Sequence, residues 1–165
     1  TRVGRGTFTN NRNLEEVKVI AESVRNHVIN KPNESLGIVA MNSQQRDQIE
    51  MSIEMLAKDD SIFRQKLEEM NLENEGMFIK NLENVQGDER DVIYISMTYG
   101  PSEPGLAPHQ RFGPINSAMG WRRLNVLFTR ARQRMHVFSS LDSSQVVADQ
   151  TKSRGVQALK NFLAF

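Results

Sequence analysis

Residues 120–140 read GWRRLNVLFTRARQRMHVFSS, and two periodicities meet inside them. Leu124, Leu127, Phe128 and Ala131 recur in steps of three and four, which predicts a helix that buries that face. Arg123 and Arg130 stand seven residues apart, so a helix would bring both to nearly the same side, two turns apart. Arg122, Arg132 and Arg134 crowd the same region. From Met135 the pattern changes to alternation, Met135-His136-Val137-Phe138, as expected of a short buried strand over 135–139. A helix that spends its exposed positions on guanidinium groups suits phosphate or carboxylate, because the planar fork matches their oxygens. A solvated basic helix paired with acids elsewhere accounts for the same residues.

The rest of the chain repeats this alternation of helix and strand. Leu14, Val17, Ala21, Val24 and Val28 predict an amphipathic helix of about four turns, with Asn13 as its N-cap and Glu15 and Glu16 in its acidic first turn. Lys31-Pro32-Asn33 ends it. Leu36 to Ala40 is a short apolar run suited to a strand covered on both faces. A second helix is expected over 44–57, with Ile49, Ile53 and Leu56 inward, and residues 59–76 suit a further short helix and a loop. Residues 77–79 and 92–97 read as strands, and 155–165 as a terminal helix with Val156, Leu159 and Leu163 inward. Between the strand at 92–97 and the arginine stretch, residues 99–120 hold four of the five prolines and four of the ten glycines, a loop long enough to suggest a functional role. The order of elements predicts an α/β fold with a mostly parallel sheet.

Composition narrows the chemistry. The 165 residues suit one domain, and the net charge of +1 leaves any nucleic-acid contact to a local patch. With no cysteine, disulfides and thiolate zinc sites are excluded; a reducing, cytoplasmic setting is expected, and no apolar run is long enough to span a membrane. The first residue is Thr1 and the opening is loop-like, which suggests a domain cut from a longer protein. No GxxxxGK[ST], HExxH or GxSxG occurs, and His27, His109 and His136 are scattered, so the chain alone is expected to turn over nothing.

In open parallel sheets ligands collect beyond the carboxyl ends of the strands, and the 83–91 loop and the arginine helix are both expected to reach such an edge. Gln86-Gly87 offers backbone that can approach a ligand closely, and Glu89 a carboxylate for a sugar hydroxyl. Asp88, Glu89 and Asp91 are an alternative magnesium set, or the acids of a turn paired with arginine.

VQGDERDVIYIS (85–96) and RRLNVLFTRAR (122–132) resemble motifs V and VI of superfamily 1 helicases, in the branch of the nonsense-mediated-decay helicase and RecD-related bacterial DNA helicases. Asn13-x-x-Glu16 and LGIVAMNSQQR (36–46), at the place of motif IV, agree in order. The resemblance spans nearly the whole chain and implies a RecA-like three-layer α/β/α domain, the second of a two-domain ATP-driven motor. It implies that ATP binds in the cleft with the preceding RecA-like domain, where the P-loop and the Mg2+ ligands would lie; no metal site is expected in this chain. It assigns the transition-state arginine to Arg130, with Arg123 second, and nucleotide contacts to Gln86, Gly87 and Glu89. Single-stranded nucleic acid, DNA before RNA, is then expected along the same sheet edge at Asn42, Asn81, Ser96 and Tyr99. The chain departs from the family at Ala40-Met41-Asn42, where Thr-Pro-Tyr is common, and at Glu83-Asn84-Val85, where Asp-x-Phe is usual. Those changes would suit a helicase-derived binding or scaffolding domain without motor activity; a stand-alone anion-binding domain is the third reading.

Overall fold

A computed structural model describes residues 1–73, 75–148 and 153–165. Four strands, β1 (Leu36–Ala40), β2 (Phe78–Asn81), β3 (Arg90–Ser96) and β4 (Ala131–Phe138), form one sheet in the order β2-β1-β3-β4. Every pairing is parallel. All the carboxyl ends therefore share one edge of the sheet and all the amino ends the other.

Alternation along the strands sorts side chains to two faces. Leu36, Ile38 and Ala40 of β1 and Val92 and Tyr94 of β3 meet α1 (Leu14–Asn30), α2 (Ser43–Asp59) and α3 (Ser61–Leu72). Val39, Ile93 and Ile95 point the other way, onto α4 (Gly120–Phe128) and α5 (Arg154–Ala164) and the segments 82–85 and 112–115. The result is the three-layer, RecA-like α/β architecture. The helices start where their caps direct: Asn13, Asn42, Asp60 and Ser153 each accept a hydrogen bond from the N–H three residues on.

The expected elements are present, and two details change. The arginine helix is shorter than the 3.6-residue pattern suggested. It ends at Phe128, the N–H groups of Thr129 and Arg130 bonding back three residues to Val126 and Leu127, and Ala131 already opens β4. Arg123 and Arg130 thus share no helical face: Arg123 is on α4, and Arg130 is in the turn that enters β4. The strand is correspondingly longer than 135–139, Arg132 and Arg134 belong to it, and the expectation of a buried strand is corrected: β4 is an edge strand of which only Phe138 is buried. Leu14, counted on the inward face of α1, is half exposed. Asn74, within the expected 59–76 loop, lies outside the described residues.

Candidate functional site

The sequence-derived residues divide between opposite edges of the sheet, not one. Glu89 immediately precedes β3 and Arg130 immediately precedes β4, so both stand at the amino-terminal edge. Asn42, Asn81, Ser96 and Tyr99 follow or end β1, β2 and β3, at the carboxyl-terminal edge. The expectation that the 83–91 loop and the arginines reach the carboxyl edge holds only for the start of the loop, where Glu83 and Asn84 follow β2; Glu89 and Arg130 are placed at the opposite edge by chain direction. In a parallel sheet a residue just before a strand cannot share an edge with one just after it.

At the amino-terminal edge, β3 and β4 are joined by the Arg90 N–H, which donates to the Arg130 carbonyl at 3.1 Å. The Arg130 side chain folds back on the end of α4, where its Nε donates to the Val126 carbonyl at 2.9 Å and Nη2 to the Thr129 hydroxyl at 2.8 Å. A cation there satisfies a carbonyl at the negative end of the helix dipole. Its Nη1 is 3.9 Å from Glu89 Oε1, a contact without hydrogen-bond geometry, and the side chain keeps 17% of its surface exposed. Gly87, at φ +88°, has nothing within 4 Å of where a Cβ would stand. Gln86, Gly87 and Glu89 are all exposed.

Arg132, which periodicity did not single out for a site, is the hub of this edge. It forks onto Glu75 at 2.7 and 2.5 Å and lies within 4.0 Å of Glu89 and 3.8 Å of Asp91. That fork lowers the Glu75 pKa, and the Ser35 N–H does the same for Asp91. Asp88 pairs instead with Lys80. Of the three acids of 88–91, Asp88 thus turns to Lys80 while Glu89 and Asp91 share Arg132, and among the described residues no group of His, Asp or Glu converges to hold a metal ion. The spacing Arg132-x-Arg134 was the available signal, but a register shift between Ala131 and Arg134 interrupts the strand alternation there.

The carboxyl-terminal edge is built around a buried acid. Glu16 accepts from the Ser96 hydroxyl and Thr98 N–H, both at 2.7 Å, and from the Ser140 N–H at 2.9 Å and Asn13 Nδ2 at 3.2 Å. Gln45 joins α2 to the same network through Asn13 and Ser96. Burial pushes the Glu16 carboxyl up to about 7, against the opposing pull of the hydrogen bonds from Ser96, Thr98 and Ser140. Ser96 is fully buried in this network, so the expected surface contact there is corrected. Tyr99 is 5% exposed, held edge-to-face by Phe8 and Phe112. Asn42 caps α2 and donates to the Asn11 carbonyl at 3.0 Å, and Asn81 accepts from Asn84 at 2.6 Å. Gln45, Thr98 and Ser140 escaped sequence reading. The visible trace was polar residues set among apolar ones at helix starts and strand ends.

One family's sequence profile, that of an AAA domain, matches residues 2–142. The chain belongs to the AAA domain family. This AAA domain is 34% identical, over 163 residues and 97% of its length, to an uncharacterized ATP-dependent helicase of Mycoplasma genitalium. A homologue of that helicase in Mycoplasma pneumoniae is 32% identical over 163 residues. The AAA domain spans 14% of the length of each. No helix among its described residues is long and apolar enough to cross a membrane.

Proposed function

We propose that this AAA domain is the second motor domain of an ATP-dependent DNA helicase or translocase of superfamily 1, in the RecD-related branch. The observation that carries the reading is the amino-terminal edge: a guanidinium held by one helix carbonyl and one hydroxyl, beside Glu89, on the edge that also carries an unobstructed glycine. Names of the two mycoplasmal relatives support the same reading.

In this reading the preceding domain of the full-length protein holds ATP and its Mg2+ on a P-loop. Bound ATP supplies the phosphoryl group and the free energy of hydrolysis. This chain supplies Arg130, whose charge meets the negative charge that develops in phosphoryl transfer, and the Gln86–Glu89 backbone and carboxylate against the nucleotide. Arg130 is anchored through Nε and Nη2, which leaves Nη1 to exchange a long contact with Glu89 for a phosphate oxygen. Arg123, on α4 with no ion pair among the described residues, is the second cation toward the cleft. Nucleic acid follows the opposite edge, at Asn42, Asn81 and the rim of Tyr99. Phosphate chemistry and strand contacts are thus separated by the length of the sheet, so closure of the cleft can alter strand grip only as a rigid-body movement.

Arg130→Ala in the full-length protein tests this. Nucleic-acid-stimulated ATP hydrolysis should fall about 10³-fold while binding of a single strand persists. Unchanged turnover removes Arg130 from the role, and a wild-type protein with no ATPase at all favours the scaffolding reading.

A further inference from the structure

The carboxyl-terminal edge contains a cleft that the motifs do not account for. Its volume is about 660 Å³, within the roughly 300–1,000 Å³ usual for small-ligand sites. The rings of Phe8 and Tyr99, 5.3 Å apart, give it an apolar surface. Asn11 and Gln44 add amides, and the 99–120 loop adds His109 and Arg111, both exposed. No acidic residue lines it. Among the described residues, Arg111 and His109 make no ion pair, and the Asn11 side chain and the Tyr99 hydroxyl make no hydrogen bond.

This surface is built in advance of any ligand. Asn10 and Asn11 both adopt positive φ, 51° and 60°, and Asn42 holds their turn through the Asn11 carbonyl. Thr98, at φ 69°, is fixed by the Glu16 carboxylate and delivers Tyr99 to the cleft. A non-glycine residue is disfavoured in this left-handed region, and the surrounding hydrogen bonds offset that cost. Gly113, at φ +49°, is closely approached by the Tyr99 hydroxyl: a Cβ there would stand 2.7 Å from that oxygen.

An apolar surface of two edge-to-face rings, the free Asn11 amide, a cation and no acid match the parts of a nucleotide, a base with its phosphate. We infer that this cleft seats one nucleotide of a single strand, the base against Phe8 and Tyr99 within reach of Asn11 and Gln44, the phosphate toward Arg111. The inference rests on the nucleic-acid reading above and goes further: it makes binding depend on the base and not on the backbone alone.

The test is fluorescence anisotropy of the nucleotide-free full-length protein with labelled dT15 and with an abasic strand of equal length. The probe variant is Asn11→Gly with His109→Ala; glycine keeps the left-handed turn, and both side chains are exposed, so the thermal midpoint should hold. We expect this variant to bind dT15 about fivefold more weakly and the abasic strand as wild type does. Arg111→Ala should weaken both strands alike and reduce the salt slope by about one. If the double variant binds dT15 like wild type, or loses both strands equally, the base pocket is overturned while the nucleic-acid reading stands. Wild-type protein that binds neither strand overturns both.

Discussion

The two edges of this sheet hold polar groups in opposite ways. At the carboxyl ends, Asn13, Glu16, Gln45, Ser96 and Thr98 are wholly or almost wholly removed from water and satisfy one another. At the amino ends, Arg130, Arg132, Glu75 and Glu89 keep between 17% and 49% of their side chains exposed; Arg132 and Glu75 are held by an ion pair, and Arg130 by a carbonyl and a hydroxyl beside its long contact with Glu89. A buried network fixes geometry because each lost bond strands a desolvated group. Exposed ion pairs contribute little and are readily exchanged. One edge is thus suited to presenting a fixed surface, the other to giving up its partners when a better anion arrives.

Four experiments break or sharpen that contrast. Arg130→Ala has the largest expected effect, the thousandfold loss of ATP turnover described above, with little change in thermal midpoint. A variant that unfolds would mean the guanidinium is structural. Glu16→Ala should act in the reverse sense and cost about 4 kcal/mol, because it leaves the Thr98 and Ser140 N–H groups unpaired inside the protein. For a chain of this size that is a fall of about 10 °C in thermal unfolding, and a loss under about 1 kcal/mol would show that the network is not the rigid half of the molecule.

The third is a pH dependence. Glu16 takes up a proton more readily folded than unfolded, so its contribution to stability is complete below the ordinary value of 4.5 and is lost as pH rises through about 7. His27 and His136, whose pKa values are lowered by burial, act in the opposite direction, gaining as pH rises toward the usual 6.5. Denaturant titrations of wild type against Glu16→Gln, which shares the histidines, isolate the acid. The stability gap between the two proteins should fall steadily across that interval, and a constant gap would show that Glu16 stays charged throughout. Smallest of all is Arg132→Ala, which breaks the fork to Glu75; the thermal midpoint should move by no more than about 2 °C. A larger drop would make the amino-terminal edge as rigid as its counterpart.

Much of this architecture could be read before the coordinates. Asn13 followed by Glu15 and Glu16 marked the start of α1, the Leu36–Ala40 run marked a strand covered on both faces, and the order of strands and helices implied a parallel sheet. These are local signals of period and capping, and local interactions set them. The end of α4 was not legible in this way. Leu124, Leu127, Phe128 and Ala131 fit one helical stripe, yet Ala131 pairs with Arg90 in the sheet. Tertiary pairing overrides a periodicity that three more helical residues, 129–131, would have satisfied equally well.

Site residues divide along the same line. Gly87, Glu89 and the arginine stretch could be chosen as residue types suited to a phosphate and a sugar, whereas the choice of Arg130 among the arginines, and of Ser96 and Tyr99, rested on the helicase resemblance. Which of them face water is a property of the assembled layers: Ser96 points at Glu16, a partner 80 residues away in the chain. The kinds of elements, their order and their chemistry therefore came from local sequence. The placement of the arginines and of the residues proposed for strand contacts at opposite edges, the burial of Glu16 and the cleft beside Tyr99 came only with packing, because each depends on contacts between segments distant in the chain.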